Sequence, residues 1–163
     1  MRLINCLLAA TVLILLSCSQ EAQIVELSDP GFGVTASSID PNDEGVDIPV
    51  LMKTNDIIKG MQFTLVWDPD VGQVIKPSLT SSNPGFTISA SEGGGGEMKV
   101  LIFSMSGDVF NTIDPTIMTI PVRIINPEAT LFTMVFKDAI FAGPSAVAYS
   151  IPIFHGNLEI NHK

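Results

Sequence analysis

The sequence predicts an all-β protein, a sandwich or barrel of about eight or nine short strands. Three observations predict it. Apolar residues recur at every second position in several segments, the period of a strand with one buried face. Clusters of Pro, Gly, Asn and Asp separate those segments at a spacing of roughly 8–12 residues. Beyond the N-terminal apolar run, no stretch sustains a helical period, and neither a repeat nor a second domain is visible.

Taken in order, the first expected strand is Gly33 to Ile39, closed by Asp40-Pro41-Asn42-Asp43. Val46 to Thr54 follows, with Val46, Ile48, Val50 and Met52 on one side and Asp47, Pro49 and Lys53 on the other. Pro cannot donate to a ladder, so this strand is expected at an edge. Lys59 to Trp67 alternates most clearly. Met61, Phe63, Leu65 and Trp67 share the face expected in the core, and Gln62, Thr64 and Asp68 share the other. Asp68-Pro69-Asp70 stops it, because Pro fixes φ and Asp can bond the turn backbone. Phe86 to Ala90 leads to the Gly93–Gly96 loop. Met98 to Met105 is mostly apolar on both faces and ends at Ser106-Gly107-Asp108. Ile117 to Ile125 aligns Met118, Ile120, Val122 and Ile124, and Leu131 to Lys137 aligns Phe132, Met134 and Phe136. Ile153 to Ile160 closes the chain, with Gly156 as a bulge or a site of close approach.

Residues 1–17 read as an export signal. Arg2 is followed by an apolar run, Leu7 to Leu16, too short to span a membrane. The run ends in Leu15-Leu16-Ser17-Cys18, then polar Ser19-Gln20-Glu21. This junction resembles the lipobox of bacterial lipoproteins. The resemblance implies cleavage before Cys18, diacylation of its thiol, and a place in the cell envelope. Ser19, in place of an aspartate, favours the outer membrane or cell surface by the same rule. Residues 18–30 are then a lipidated polar tether and residues 31–163 the folded domain.

Charge narrows the function. The chain has 8 basic and 17 acidic residues, a net charge of −9, and the only basic residue in the signal is Arg2. An acidic domain argues against nucleic acid and against a basic membrane-binding patch, so membrane attachment falls to the lipid. Cys6 lies in the signal and Cys18 is the lipid site, which leaves the domain no disulfide; its core must suffice alone.

The run Gly60-Met61-Gln62-Phe63-Thr64-Leu65-Val66-Trp67-Asp68-Pro69 resembles the third-strand motif of cohesin domains. Asn42 to Val50, Val100 to Gly107, Ile117 to Ile125 and Ile153 to Ile160 are similar to other cohesin strands, in family order over about residues 31–160. The resemblance implies a cohesin-like jelly-roll β-sandwich that docks a protein partner, dockerin-like, in a carbohydrate-binding or polysaccharide-degrading context. The positions matching the family's polar contact residues here are Gly60 and Gln62. Gln62 and Thr64, on the side of the strand away from the core, are the candidate partner-binding residues.

Other constellations carry less chemistry. Asp40, Asn42, Asp43, Glu44 and Asp47 offer oxygens but not calcium-loop spacing, and read as a solvated turn. Glu92 and Glu97 flank the Gly93–Gly96 run and repel anions, so it reads as a hairpin loop rather than a phosphate cradle. His155 and His162 have no cysteine partners for zinc. No carboxylate pair is singled out, and Ser104-Met105-Ser106-Gly107 lacks the nucleophile elbow. The expectation is a binding module, neither an enzyme nor the holder of a cofactor or metal. Direct glycan binding and a structural envelope role are the alternatives. An exposed pair of aromatics would favour glycan, and an open mixed face beside Gln62 and Thr64 would favour docking.

Overall fold

The computed structural model describes residues 30–36, 38–41, 45–110 and 113–162. Two sheets pack face to face. The strands are β1 (Gly31–Val34), β2 (Ser38–Ile39), β3 (Val46–Lys53), β4 (Gly60–Trp67), β5 (Gly72–Val74), β6 (Ser78–Leu79) and β7 (Thr87–Glu92). They continue with β8 (Glu97–Phe103), β9 (Thr116–Ile124), β10 (Leu131–Ala142), β11 (Ala148–Tyr149), β12 (Ile153–Phe154) and β13 (Gly156–Ile160). The first sheet runs β12-β1-β3-β9-β5, with β6 also on β9; the second runs β2-β13-β10-β4-β8-β7, with β11 on β10. The all-β sandwich expected from the sequence is therefore observed. The strands outnumber the expected eight or nine because several are only two residues long.

The first and last described segments both change sheets. The expected strand Gly33–Ile39 divides into β1, in the first sheet, and β2, in the second. The expected strand Ile153–Ile160 divides at His155 into β12 and β13 in the same way. The two segments run parallel and cross together: Phe32 pairs with Ile153, and Ser38 with Glu159. His155 also serves the crossing. Pairing of β10 with β13 ends at Met134–Gly156, and the Phe136 N–H beyond it donates to His155 Nδ1 at 3.2 Å. Gly156 is a site of close approach, as expected: a Cβ there would lie 3.2 Å from Val34 and 3.3 Å from the Met134 methyl.

The position of β3 differs from the expectation. It pairs with β1 on one side and β9 on the other, so it is interior. Pro49 is tolerated because β1 reaches only to Val50. One residue further on, that side has no neighbour, and an N–H missing there forfeits no ladder bond.

The core is the expected one, with one exception. Ile48, Val50, Met52, Met61, Phe63, Leu65, Met118, Ile120, Val122, Phe132, Met134 and Phe136 are all buried. At its centre Phe32 of the first sheet meets Phe63, Phe136 and Phe141 of the second, with centroids 5.4, 5.2 and 5.1 Å away. Such pairs add about 0.5–1.5 kcal/mol each beyond area burial, and they pin the sheets together. The exception is Trp67, expected in the core, which is only half-buried at the end of β4. The strand outruns the sandwich there, and the Trp67 ring lines a shallow surface hollow with Pro69, Gln73, Glu92 and Ile125.

Candidate docking face

The outer face of the second sheet carries two adjoining surface hollows. Alternation decides which side chains it carries. In β8, Met98, Val100 and Ile102 are buried, which turns Lys99, Leu101 and Phe103 outward. In β4, buried Met61, Phe63 and Leu65 turn Gly60, Gln62 and Thr64 outward. Register then sets the neighbours: Gln62 lies between Leu101 and Ile140, and Thr64 between Lys99 and Lys137. At the β7 edge, Ser89 sits beside Leu101 and Ser91 beside Lys99.

A β-bulge places Ile140 on this face. The β4–β10 register shifts between Lys137 and Ile140, and Asp138 adopts φ 51°. Asp tolerates that left-handed region better than most residues. Phe136 and Phe141, an odd number of positions apart, both reach the core because of the shift, and Ile140 is left 47% exposed.

The face has two halves. Near the start of β4, an apolar groove of about 330 Å³ is lined by Gly60, Leu101, Phe103, Ile140 and Ala142. Further along lies a polar hollow of about 480 Å³, lined by Gln62, Thr64, Ser89, Ser91, Lys99 and Asp138. An apolar patch bordered by hydrogen-bonding and charged groups has the composition of a protein-recognition surface. It has neither a nucleophile–base pair nor paired carboxylates.

The candidate residues fall as follows. Gln62 is exposed at the centre of the face. Thr64 points to the same side but is only 9% exposed, so the expectation of a free surface residue is corrected: flanking side chains cover it, and it forms the floor of the polar hollow. Cys18 lies outside the described residues, as do Asn42, Asp43 and Glu44 of the acidic turn. Among the described residues, no group of three His, Cys, Asp or Glu side chains is placed to hold a metal ion. His162 Nε2 donates to the Ala129 carbonyl at 2.8 Å. The chain's single Trp and single Tyr stand apart. Trp67 pairs with Met134, while Tyr149 pairs with Phe141 toward the other end of β10.

Leu101, Ile140, Lys99 and the two serines escaped the sequence reading. A signal existed: Met98 to Met105 is mostly apolar on both faces, and a sandwich strand can bury only one of them. Ile140 carried none, since its orientation depends on the bulge.

By sequence, the chain matches no protein-family model and no curated protein. Solved structures are another matter. The sixth cohesin of scaffoldin B from Acetivibrio cellulolyticus, solved with a dockerin, superposes with a TM-score of 0.67 at 16% identity. The match covers 82% of this chain and 100% of that one. A non-cellulosomal cohesin from the archaeon Archaeoglobus fulgidus gives 0.67 at 14%, over 83% and 93%. The OlpC cohesin of Clostridium thermocellum, in a cohesin–dockerin complex, gives 0.63 at 18%, over 86% and 97%. The fold is the cohesin fold. Within it, the outer face of β10-β4-β8-β7 carries the apolar groove and the polar hollow.

Proposed function

We propose that this chain is a non-catalytic docking module, exported and held on the cell envelope by lipid on Cys18. Its partner is a protein of the dockerin kind, in a polysaccharide-degrading context. One observation carries the reading: the outer face of the second sheet joins an apolar groove at Leu101 and Ile140 to a polar hollow around Gln62 and Lys99. Solved neighbours with this fold include cohesins in complex with dockerins, which supports a partner of that class. Separation of Trp67 from Tyr149 weighs against the glycan alternative, since a flat sugar-stacking strip needs neighbouring rings.

Calorimetric titration with dockerin modules from the same genome tests the reading. Binding of at least one is expected. Gln62→Lys combined with Leu101→Lys should abolish it, because two cations would have to be desolvated without partners at the centre of the interface. Both positions are exposed, so the unfolding midpoint should change little. A double variant that binds normally would remove this face from the mechanism. Failure of every dockerin to bind would remove the partner class.

A further inference from the structure

The described residues begin at the end of the sandwich where the loops are most apolar. Gly31 pairs with Lys53, so residue 30 lies beside the end of β3 that turns into the 54–59 loop. Gly60 pairs with both Ala142 and Phe103, which brings the loops after β8 and β10 to that same end. Half of the large apolar side chains exposed among the described residues sit in these loops. They are Ile57 at 53%, Met105 at 87%, Val109 at 51%, Ile113 at 93% and Val147 at 50%. The loop stems are tied down. The Asp108 N–H donates to Ser104 Oγ at 3.0 Å, the Phe110 N–H donates to the Ile58 carbonyl at 3.0 Å, and Phe110 stacks on Phe86 at 3.9 Å. Fixed stems hold these side chains out in solvent.

We propose that this end of the sandwich contacts the membrane, its loop side chains entering the boundary between headgroups and acyl chains. The inference goes beyond partner docking and rests on the lipid-anchor part of the proposed function. Only eleven residues separate Cys18 from Pro30, a tether reaching at most about 40 Å when fully extended. A lipid on Cys18 therefore keeps the loop end at high effective concentration beside the bilayer, so a contact too weak to bind alone is populated. The diacylated cysteine brings two acyl chains, enough to anchor by themselves, so the loops orient the domain on the bilayer and do not hold it there. The chemistry of that loop contact is apolar. Lys53 and Lys59 are matched at this end by Asp56, Asp108 and Asp114, and the whole chain is acidic. Anionic lipid adds nothing. In this pose the strands run away from the bilayer and the open face of the second sheet is presented sideways.

The test uses the full chain, lipidated in a bacterial host and reconstituted into phosphatidylcholine vesicles. An environment-sensitive fluorophore is attached at Met105→Cys or, at the opposite end, at Ile125→Cys. The probe at 105 should shift to the blue and be quenched by spin-labelled lipid, while the probe at 125 does neither. Adding Val109→Asp and Ile113→Asp should abolish the shift at 105 while the protein stays with the vesicles. Water-like emission at both positions in vesicle-bound protein would overturn the proposal. So would a shift at 105 that persists without vesicles, since a second copy would then be covering the loops. Cys18→Ala separates the two readings. Loss of that variant from the vesicles supports the anchor, whereas continued binding with the shift at 105 overturns the anchor and keeps the apolar end.

Discussion

Gly96 is fixed by two constraints at once. Its φ is +78°, and a Cβ would fall 2.2 Å from the Trp67 carbonyl oxygen. The approach is close because the Trp67 N–H donates to the Gly96 carbonyl at 2.8 Å, tying the β7–β8 hairpin to the end of β4. Gly96→Ala should therefore destabilise by about 1–3 kcal/mol, the usual cost of a residue forced into a strained backbone region. Urea unfolding measures it. Gly94 has the same sign of φ but open space around it, so Gly94→Ala should cost less. Trp67 gives a second test at this scale. Truncating a fully buried aromatic costs about 3–5 kcal/mol; a half-buried ring at a strand end should cost less than that range. Its native emission should lie between the buried and water-exposed limits, since the ring faces the core on one side only. An emission maximum at either limit would contradict the geometry.

Among the loops, Ser104–Asp108 titrates. The Ser106 hydroxyl, and next the Ser104 hydroxyl at 2.7 Å, donate to the Asp108 carboxylate and hold its pKa below the ordinary value of 3.8. A depressed carboxylate stabilises the fold above its unfolded pKa, and that contribution is lost as the pH falls through the lower folded value. The loop should therefore keep its order through mild acid and loosen only below the ordinary carboxylate range. An NMR titration of Asp108 reads this directly, and Ser104→Ala with Ser106→Ala should bring its pKa back up. This loop also shows what the sequence could reveal. Ser-x-Ser-Gly-Asp marks a strand end, and Asp68-Pro69-Asp70 marks another, where the Asp70 N–H donates to the Asp68 side chain at 2.9 Å. Period-two alternation was equally legible in β4, β9 and the first half of β10. Strand edges, sheet changes and bulges were not. Pro49 suggests an edge, but its position turns on how far β1 extends. The bulge at Asp138 is set by pairing with β4, and nothing local foretells that Phe141 returns to the core. On the candidate face, the outward direction of Gln62 and Thr64 could be read from alternation, while Ile140 depended on that bulge.

At the scale of the molecule, closure depends on the last nine residues. Among the described residues, β13 is the only strand that pairs with β2, and it also lines the side of β10 opposite β4. Its Leu158 and Ile160 are buried against the core that Phe132 and Met134 complete. With no disulfide among the described residues to close the sandwich, noncovalent pairing of the first and last segments must do it. Deleting residues 155–163 would expose one long edge of β10 and the apolar face beneath it, leave β2 without its strand partner, and unpair the Phe136 N–H that His155 satisfies. Buried apolar side chains of this size contribute about 1.5–3 kcal/mol each, and domains as a whole are stable by only about 5–15 kcal/mol. Loss of Leu158 and Ile160 together with the edge pairing should consume most of that margin. The truncated chain should therefore lack a cooperative thermal transition and dispersed amide resonances, whereas the intact chain unfolds in one step. Contacts between the chain ends also predict slow folding, in the millisecond-to-second range typical of sandwiches dominated by distant pairings. The milder variant Leu158→Ala keeps the strand and should lower stability by about 2–5 kcal/mol while leaving a single transition. A deletion variant that still melts cooperatively near the intact midpoint would mean that β13 is an addition to the sandwich and not the strand that closes it.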